Sequence, residues 1–222
     1  MGIPGSEMDA FLTPNEMALR QRIRDYFRDG EASGGGAPAG PTGSHEPGAL
    51  LKELGFPGPY GAGNKGGDAS LFVKALVVEE VSSASPRLGR DLVPVLGGEA
   101  RGAPGTDSEA AEIAWTIGAA AAVLQACLKA AREQGLFAST LMGHQKVQMV
   151  LGDLLSGLES ARLQSYRALR LIDGGNTAGG AQELRRAAGL AGRARDVAMG
   201  AASALLDHRW LSEKMPDNER SR

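Results

Sequence analysis

The chain has 222 residues, with 24 Lys and Arg, 26 Asp and Glu and a formal net charge of −2. This length suits one ordinary domain, or at most two small ones. It is sufficient for a hydrophobic core that needs no disulfide bonds or metal ions for its stability. The near-neutral charge argues against general binding to a nucleic-acid backbone, which needs clustered excess cations. The single cysteine, Cys127, excludes a disulfide framework, and three scattered histidines give no metal-ligand spacing. We therefore expect no metal site.

The sequence predicts no membrane span and no secretory signal. Its longest apolar run, roughly 113–128, contains Thr116, Gly118 and Gln125. It is also short of the about 20 residues that a spanning helix needs. No cationic stretch followed by an apolar one opens the chain. Residues 1–7 resemble a vector-derived expression scar, and we exclude them from fold reasoning. These features predict a cytoplasmic protein.

The first helix has a clear start signal. Thr13 is a candidate N-cap, Pro14 suits the first helical position, and Glu16 completes a capping box. Apolar residues then recur at helical spacing until Gly30, where we expect the helix to end. Residues 31–47 are rich in Gly, Pro and Ser and predict a flexible linker.

Two more helices are predicted in the N-terminal half, at 49–54 and at 69–83, the second capped by Asp68. The glycine-rich segment 61–67 between them lacks the strand-to-helix context of a phosphate-binding loop, so we interpret it as a structural loop. Residues 86–107 are rich in Gly and Pro and are predicted to be irregular.

The C-terminal half predicts three long helices, at 108–134, 141–171 and 182–208, with apolar residues at helical spacing. No segment shows sustained alternation, so no sheet is predicted. Long helices joined by short loops indicate an antiparallel bundle. Cys127 falls on an apolar helix face and is expected to be a core residue rather than a nucleophile.

Four segments occur in a recognisable order. They are RIRDYFRDG at 22–30; residues 50–84, with ELGFPGPYGAGNKGG and VVEEV; LVPVLGGEARGA at 92–103; and residues 117–169, with REQGLFASTLMGHQKVQ and ESARLQSYRAL. In content and spacing they resemble the acyl-CoA dehydrogenase family, which uses FAD to desaturate acyl-CoA thioesters. The resemblance implies an all-α protein, with an N-terminal helical part at 8–103 and an antiparallel C-terminal helix bundle of the acyl-CoA dehydrogenase type at 108–222.

Some parts of the family pattern are missing from this sequence. Full members of the family carry a β-domain whose flavin-contacting segment should follow Ala103, whereas here residues 104–107 lead straight into the next helix. The catalytic glutamate of most members lies downstream of the last matching residue. We therefore predict a truncated member without the middle β-domain and without that C-terminal segment. Trp115 and Trp210 are expected to cover surface that the β-domain would bury, or to form a subunit interface.

Three residues, Phe137, His144 and Gln145, match positions that contact FAD in the family. The family arginine that reaches a flavin pyrophosphate across a subunit interface is Gln134 here, and a neutral amide cannot replace its charge-assisted bidentate contact. His144 could equally be a capping or interface residue at a helix start. The resemblance implies FAD, but because the family arginine and a family Gly-Gly pair, here Asp207-His208, are replaced, we expect FAD to be absent from this chain.

The family chemistry needs a carboxylate base that removes the proton α to the thioester. In some members this glutamate opens the first bundle helix. An ungapped count places Ser108 there, and a shift of one residue places Glu109 there, with Glu112 one turn further. Glu109 is therefore the candidate catalytic residue.

Three functions remain open from the sequence. The first is a catalytically silent homologue, an assembly or regulatory subunit that forms a homo-oligomer through its C-terminal bundle or joins a full-length paralogue. The second is a minimal FAD-dependent acyl-CoA dehydrogenase with Glu109 as base. The third is an acyl-CoA or acyl-chain binding module without redox chemistry.

Overall fold

The computed structural model describes residues 11–32, 47–54, 69–97, 106–136 and 139–206. The elements in chain order are α1 (Pro14–Ala32), α2 (Pro47–Glu53), α3 (Leu71–Ala84), α4 (Pro86–Gly97), α5 (Thr106–Glu133), β1 (Gly135–Leu136), β2 (Ser139–Thr140), α6 (Gln145–Asp173) and α7 (Thr177–Leu205). Strands β1 and β2 form a two-residue antiparallel ladder after α5, and a short 3₁₀ helix, Leu141–Gly143, lies between this ladder and α6. The all-α prediction is confirmed for the described residues, with this minimal ladder as an addition.

The capping box that opens α1 forms as predicted. The backbone N–H of Thr13 donates to Oε2 of Glu16 at 2.8 Å, and the backbone N–H of Glu16 donates to Oγ1 of Thr13 at 3.4 Å. These two bonds satisfy N–H groups that a helix start leaves without intrahelical partners. The helix continues to Ala32, two residues past Gly30, and fully buries Ile23.

The prediction of irregular structure over 86–107 is wrong, because Pro86–Gly97 form α4. A proline at the first helical position costs no hydrogen bond, which explains Pro86. Leu92 and Leu96 are buried on one face of α4. Gly89 permits a close approach, since a Cβ there would lie 2.7 Å from Cα of Ser82. Tertiary packing here outweighs the weak helix propensity of Gly and Pro.

The start of α7 also differs from the prediction. The helix begins at Thr177 rather than near 182, because Asn176 is its N-cap and accepts a hydrogen bond from the N–H of Gly179 at 3.1 Å. Gly180 is needed for close packing, since a Cβ there would lie 2.9 Å from the carbonyl oxygen of Ala168. The predicted end of this helix at 208 lies outside the described residues.

The predicted end of α6 is confirmed at Gly174, which is the C-cap, and Gly175 adopts a positive φ of 91° that favours glycine. The start of α3 is shifted. Its N-cap is Ser70, whose hydroxyl accepts from the N–H of Val73 at 3.3 Å, whereas the predicted cap Asp68 lies outside the described residues.

The three bundle helices α5, α6 and α7 alternate in direction, as an antiparallel bundle requires. Lys74 of α3 pairs with Asp107 of α5 at 3.3 Å, and Ser82 lies against Gly118, so α3 and α5 run in parallel. The end of α6 reaches the start of α3, where Asp173 accepts hydrogen bonds from two backbone N–H groups at 3.0 and 3.1 Å. Hence α6 runs antiparallel to α3 and to α5, and α7 returns antiparallel along α6.

The core is centred on α5. Cys127 is fully buried and burial raises the pKa of its thiol to about 11, which confirms it as a core residue. Trp115 is 2% exposed and its indole N–H donates to the carbonyl of Pro86 at 2.9 Å. The expectation that Trp115 covers an outer surface is therefore wrong, since α4 covers it; Trp210 lies outside the described residues.

By length and composition α5 could cross a bilayer. However, 72% of its most apolar window is buried inside the bundle. This burial is typical of the central helix of a soluble protein, where an all-apolar surface is covered by neighbouring helices.

The close contact of α5 with α3 at Gly118 gives the first prediction. A Cβ at Gly118 would lie 2.5 Å from Cβ of Ser82 and closer still to the carbonyl oxygen of Glu79. We expect Gly118→Ala to lower the free energy of unfolding by about 1–3 kcal/mol, the usual cost of overpacking. Chemical denaturation followed by circular dichroism measures this value.

The matched control is Gly192→Ala in α7, where a Cβ meets no atom within 4 Å. We expect this variant to raise the free energy of unfolding by about 0.5–1 kcal/mol, because alanine has the higher helix propensity. Equal effects of the two substitutions would contradict the close α3–α5 contact.

Candidate functional site

Two consecutive carboxylates of α3 lie inside the protein. Glu79 is 2% exposed and Glu80 is 3% exposed. Neighbouring residues of a helix point about 100° apart, so the two side chains face different partners. Glu79 faces α6, where it meets Arg162, and Glu80 faces α1, where it meets Arg20 and Arg24. We call these five residues the ion-pair cluster.

Every carboxylate in the ion-pair cluster has a charged partner. Glu80 accepts from Nε of Arg20 and, at 2.9 Å, from Nε of Arg24. Glu79 accepts from Nε of Arg162 at 2.5 Å. Burial lowers the pKa of Arg162, but the charge of Glu79 outweighs it and raises the pKa above the ordinary value. The cluster therefore remains ionised, as buried charges require when they are paired.

Tyr166 of α6 lies beside this cluster. Its hydroxyl is buried and has no hydrogen-bond partner among the described residues. Burial and then the nearby charge of Glu79 raise the pKa of Tyr166 well above its ordinary value, so the phenol stays neutral. The ring packs edge-on against Phe72, with 4.9 Å between the ring centroids.

An open groove of about 550 Å³ lies on the other side of these two rings. We call it the α1–α6 groove, because it lies between the start of α1, the start of α3 and the last third of α6. Two arginines of α6, Arg167 and Arg170, also line it. Its apolar wall is formed by Phe11, Phe72, Leu163, Tyr166 and Leu171.

Arg170 is held in place at the groove. Its guanidinium lies 3.7 Å from the centroid of Phe72 and donates to Glu16 at 2.5 Å and to the carbonyl of Phe11 at 3.3 Å. Burial raises the pKa of Glu16, but hydrogen bonds from Arg170 and Thr13 leave this pKa below its ordinary value. Glu16 is therefore a carboxylate that neutralises Arg170.

The candidate base Glu109 lies in the first turn of α5 and is partly buried. Its acidic neighbours are engaged, since Asp107 pairs with Lys74 and Glu112 pairs with Arg90 of α4. Glu109 itself makes no ion pair with any described residue. An acidic residue in a first helical turn is also favourable to the helix dipole, without any catalytic role.

The end of α4 packs directly against this first turn. A Cβ at Gly97, the last residue of α4, would lie 2.9 Å from Cα of Ser108 and 3.2 Å from Cβ of Ala111. Only residues 98–105 connect the two helices. A β-domain cannot fit in a connection of that length, so the predicted lack of a middle β-domain follows from the chain itself.

The candidate FAD contacts lie at the opposite end of α5. His144 is the N-cap of α6 by backbone position, with its carbonyl accepting from the N–H of Val147 at 3.0 Å, and Gln145 is the exposed first residue of α6. Phe137 lies outside the described residues. Glu109 is separated from this end by most of α5, which at the rise of an α-helix is about 36 Å. One chain therefore does not bring Glu109 together with His144 and Gln145.

The described residues at this end do not fit a flavin. Gln134 and Gln145 are exposed and make no side-chain hydrogen bond to another described residue. The one buried polar atom without a partner in the described part of the chain is the hydroxyl of Tyr166, which is in a different part of the fold. No group of three metal-ligating side chains occurs among the described residues either.

Sequence reasoning missed the ion-pair cluster and the α1–α6 groove. The available signal was the pair Glu79-Glu80 inside an otherwise apolar helix, which at helical spacing must place at least one carboxylate near the core. Leu163 belongs to the apolar helical pattern of residues 141–171, yet it is 40% exposed at the groove.

The cluster gives the second prediction. Arg162→Met leaves the buried carboxylate of Glu79 without its partner, so we expect the free energy of unfolding to fall by about 3–5 kcal/mol. The control is Arg186→Met, because Arg186 is 60% exposed and pairs with Glu183 at 3.0 Å. We expect a change of at most about 1 kcal/mol there.

A double variant, Glu79→Leu with Arg162→Met, separates the lost pair from lost packing. We expect it to recover much of the stability that Arg162→Met loses, since neither charge is then left unpaired in the core. A double variant that is less stable than Arg162→Met would contradict this account. Urea denaturation of the unchanged chain, of the single variants Arg162→Met and Glu79→Leu and of the double variant measures the cycle.

Comparison with known proteins identifies the C-terminal half. Residues 105–211, just under half of the chain, match the family model for the acyl-CoA dehydrogenase, C-terminal domain. The match begins at the start of α5 and includes the ladder, α6 and α7. Searches of the curated proteins and of the solved structures each gave no match. Residues 105–211 thus match the helical C-terminal domain of the acyl-CoA dehydrogenase family.

Proposed function

We propose that this chain has no redox activity of its own and acts as an oligomeric assembly or regulatory subunit of the acyl-CoA dehydrogenase type. The observation that carries the proposal is the direct contact of Gly97 with Ser108. The end of α4 occupies the side of α5 next to the candidate base. Residues 98–105, which connect the two helices, are too few to form a domain that could cover a flavin there.

The opposite end of α5 supports the same proposal. A diphosphate is held most strongly by charged, bidentate donors, and Gln134 supplies a neutral amide on an exposed surface. The candidate base is about 36 Å of helix away from His144 and Gln145. Flavin chemistry would therefore require a second chain to supply most of the cofactor site.

The exposed side of α6 offers a surface for association. Met149 is 61% exposed and Leu155 is 38% exposed. A Cβ at Gly152 would meet no atom within 4 Å, so another helix can approach closely there. We call Met149, Gly152 and Leu155 the association face. Because a symmetric dimer buries the same patch on both subunits, a second copy of this chain or a full-length family member is the proposed partner.

The third prediction concerns the cofactor. After incubation with excess FAD and desalting, we expect the full chain to retain no flavin absorption band and to show no acyl-CoA dehydrogenation. Glu109→Gln should give the same spectrum and the same lack of activity as the unchanged chain. Visible absorption spectroscopy and a dye-reduction assay measure both.

The opposite result would be equally informative. Retention of flavin near one per chain, with activity that Glu109→Gln abolishes, would overturn the proposal and assign a minimal FAD-dependent dehydrogenase with Glu109 as base. Glu112→Gln is the matched control, because its carboxylate lies one turn away and pairs with Arg90.

The fourth prediction concerns assembly. We expect the chain to be a dimer or a dimer of dimers in sedimentation velocity, and Met149→Asp to shift it to a smaller species. A carboxylate in the middle of an apolar contact would lose its hydration without a partner. Leu163→Asp, on the same helix but in the α1–α6 groove, should leave the assembly intact. A monomer at micromolar concentration before any substitution would contradict the proposal.

A further inference from the structure

We propose that the α1–α6 groove binds a small aromatic carboxylate, with its ring stacked on the guanidinium of Arg170 and its carboxylate at Arg167. Both arginines line the groove. The groove lies on a different part of α6 from the association face, so binding of a ligand there does not depend on the proposed assembly role.

The surface that a ligand can touch is not formed by the two rings at the back of the groove. Phe72 is 1% exposed and Tyr166 is 3% exposed. The guanidinium of Arg170 covers Phe72, with its central carbon 3.7 Å from the ring centroid, and the side chain of Arg170 is 40% exposed. The accessible floor of the groove is therefore the outer face of this guanidinium, and Phe72 supports it from below.

A guanidinium that lies on one aromatic ring suits a second ring on its other face. Arg170 donates through Nη2 to Glu16 and to the carbonyl of Phe11, and these bonds hold it over Phe72. The planar, delocalised cation of arginine stacks on aromatic faces and is attracted by the ring quadrupole. A saturated chain gains no such attraction, so the floor of the groove favours an aromatic ring over an aliphatic tail.

Apolar side chains flank this floor. Leu163, seven residues before Arg170 on α6, is 40% exposed, and Phe11, just before α1, is 56% exposed. Both side chains line the groove. Seven residues of an α-helix span about 10 Å. A ligand of one or two fused rings fits that span, and it displaces water from both apolar side chains.

The charge at the groove favours an anionic substituent on the ring. Arg170 is already neutralised by Glu16. Arg167 is exposed, lines the groove and makes no ion pair with any described residue. The other polar side chains that line the groove, Ser160 and Gln164, are neutral. The lining thus carries one uncompensated positive charge, which a single carboxylate complements.

The test is a fluorescence titration of 2-naphthoate with the full chain, for which we expect one saturable site per chain. Decahydro-2-naphthoate, the saturated analogue, should compete about threefold less well, because it cannot stack on a cation. 2-Naphthalenemethanol should compete about fivefold less well, because it forms no ion pair with Arg167.

Variants assign the carboxylate and the ring. Arg167→Gln should weaken 2-naphthoate about fivefold, the upper range for an exposed ion pair, and should leave 2-naphthalenemethanol unchanged. Leu163→Asp should weaken 2-naphthoate about tenfold or more, because it removes apolar surface and places a like charge beside the carboxylate. Leu163→Ala should do so to a smaller extent.

Arg193→Gln is the matched control for charge. Arg193 is exposed on α7 and is not part of the groove lining, so this variant should keep the original affinity. Thermal melts monitor the folding of each variant.

Four outcomes would overturn the proposal. They are the absence of saturable binding, competition by the saturated analogue that equals or exceeds that of unlabelled 2-naphthoate, an unchanged affinity in Arg167→Gln, and an equal loss in Arg193→Gln. Dissociation of the assembly by Leu163→Asp would also overturn it, because the groove would then be a subunit contact. Retention of flavin bears on the proposed function only, so the two proposals can fail separately.

Discussion

The arrangement of the helices depends on two adjacent carboxylates that α3 buries. Glu79 and Glu80 leave water only because Arg162 of α6 and Arg20 and Arg24 of α1 neutralise them. Rotation of α3 by one residue would separate both carboxylates from their partners and leave charges unpaired in the core. Because an unpaired buried charge costs several kcal/mol, this cluster selects one orientation of α3 among those that apolar packing permits.

The same helix α6 combines three roles along its length. Its buried stripe, with Leu154 and Leu158, belongs to the core, and Arg162 joins the ion-pair cluster. Its first third presents Met149 and Gly152 outward, and its last third forms one wall of the α1–α6 groove. Because these three surfaces lie at different positions along one rigid helix, a substitution at one surface need not alter the other two.

Local signals predicted the local structure well. The Thr13–Glu16 capping box forms, the three long helices occur in the bundle, and Cys127 is in the core. Where the sequence misled, contacts between distant segments decided the outcome. Gly89 lies in a segment predicted to be irregular, and Gly180 lies before the predicted start of its helix, yet each permits a close helix–helix approach. Helix propensity alone does not include the packing energy of such helix–helix contacts.

The candidate sites were harder to predict for the same reason. Arg170 and Phe11 meet at the groove although they are 159 residues apart in sequence. No periodicity in one segment can indicate such a pair. The resemblance to the family correctly assigned the C-terminal domain, whose match covers residues 105–211. It carried no information about a groove that Phe11, just before α1, completes.

The carboxylate of Asp173 binds the first N–H groups of α3 from a position 102 residues further along the chain. A helix start that is capped by its own neighbouring residues can form early, whereas this one receives its full set of acceptors only after the ends of α3 and α6 meet. Closing a loop of this length costs chain entropy before the contact between the two helix ends forms. The start of α3 therefore depends on a contact that is distant in sequence, which its secondary structure alone does not indicate.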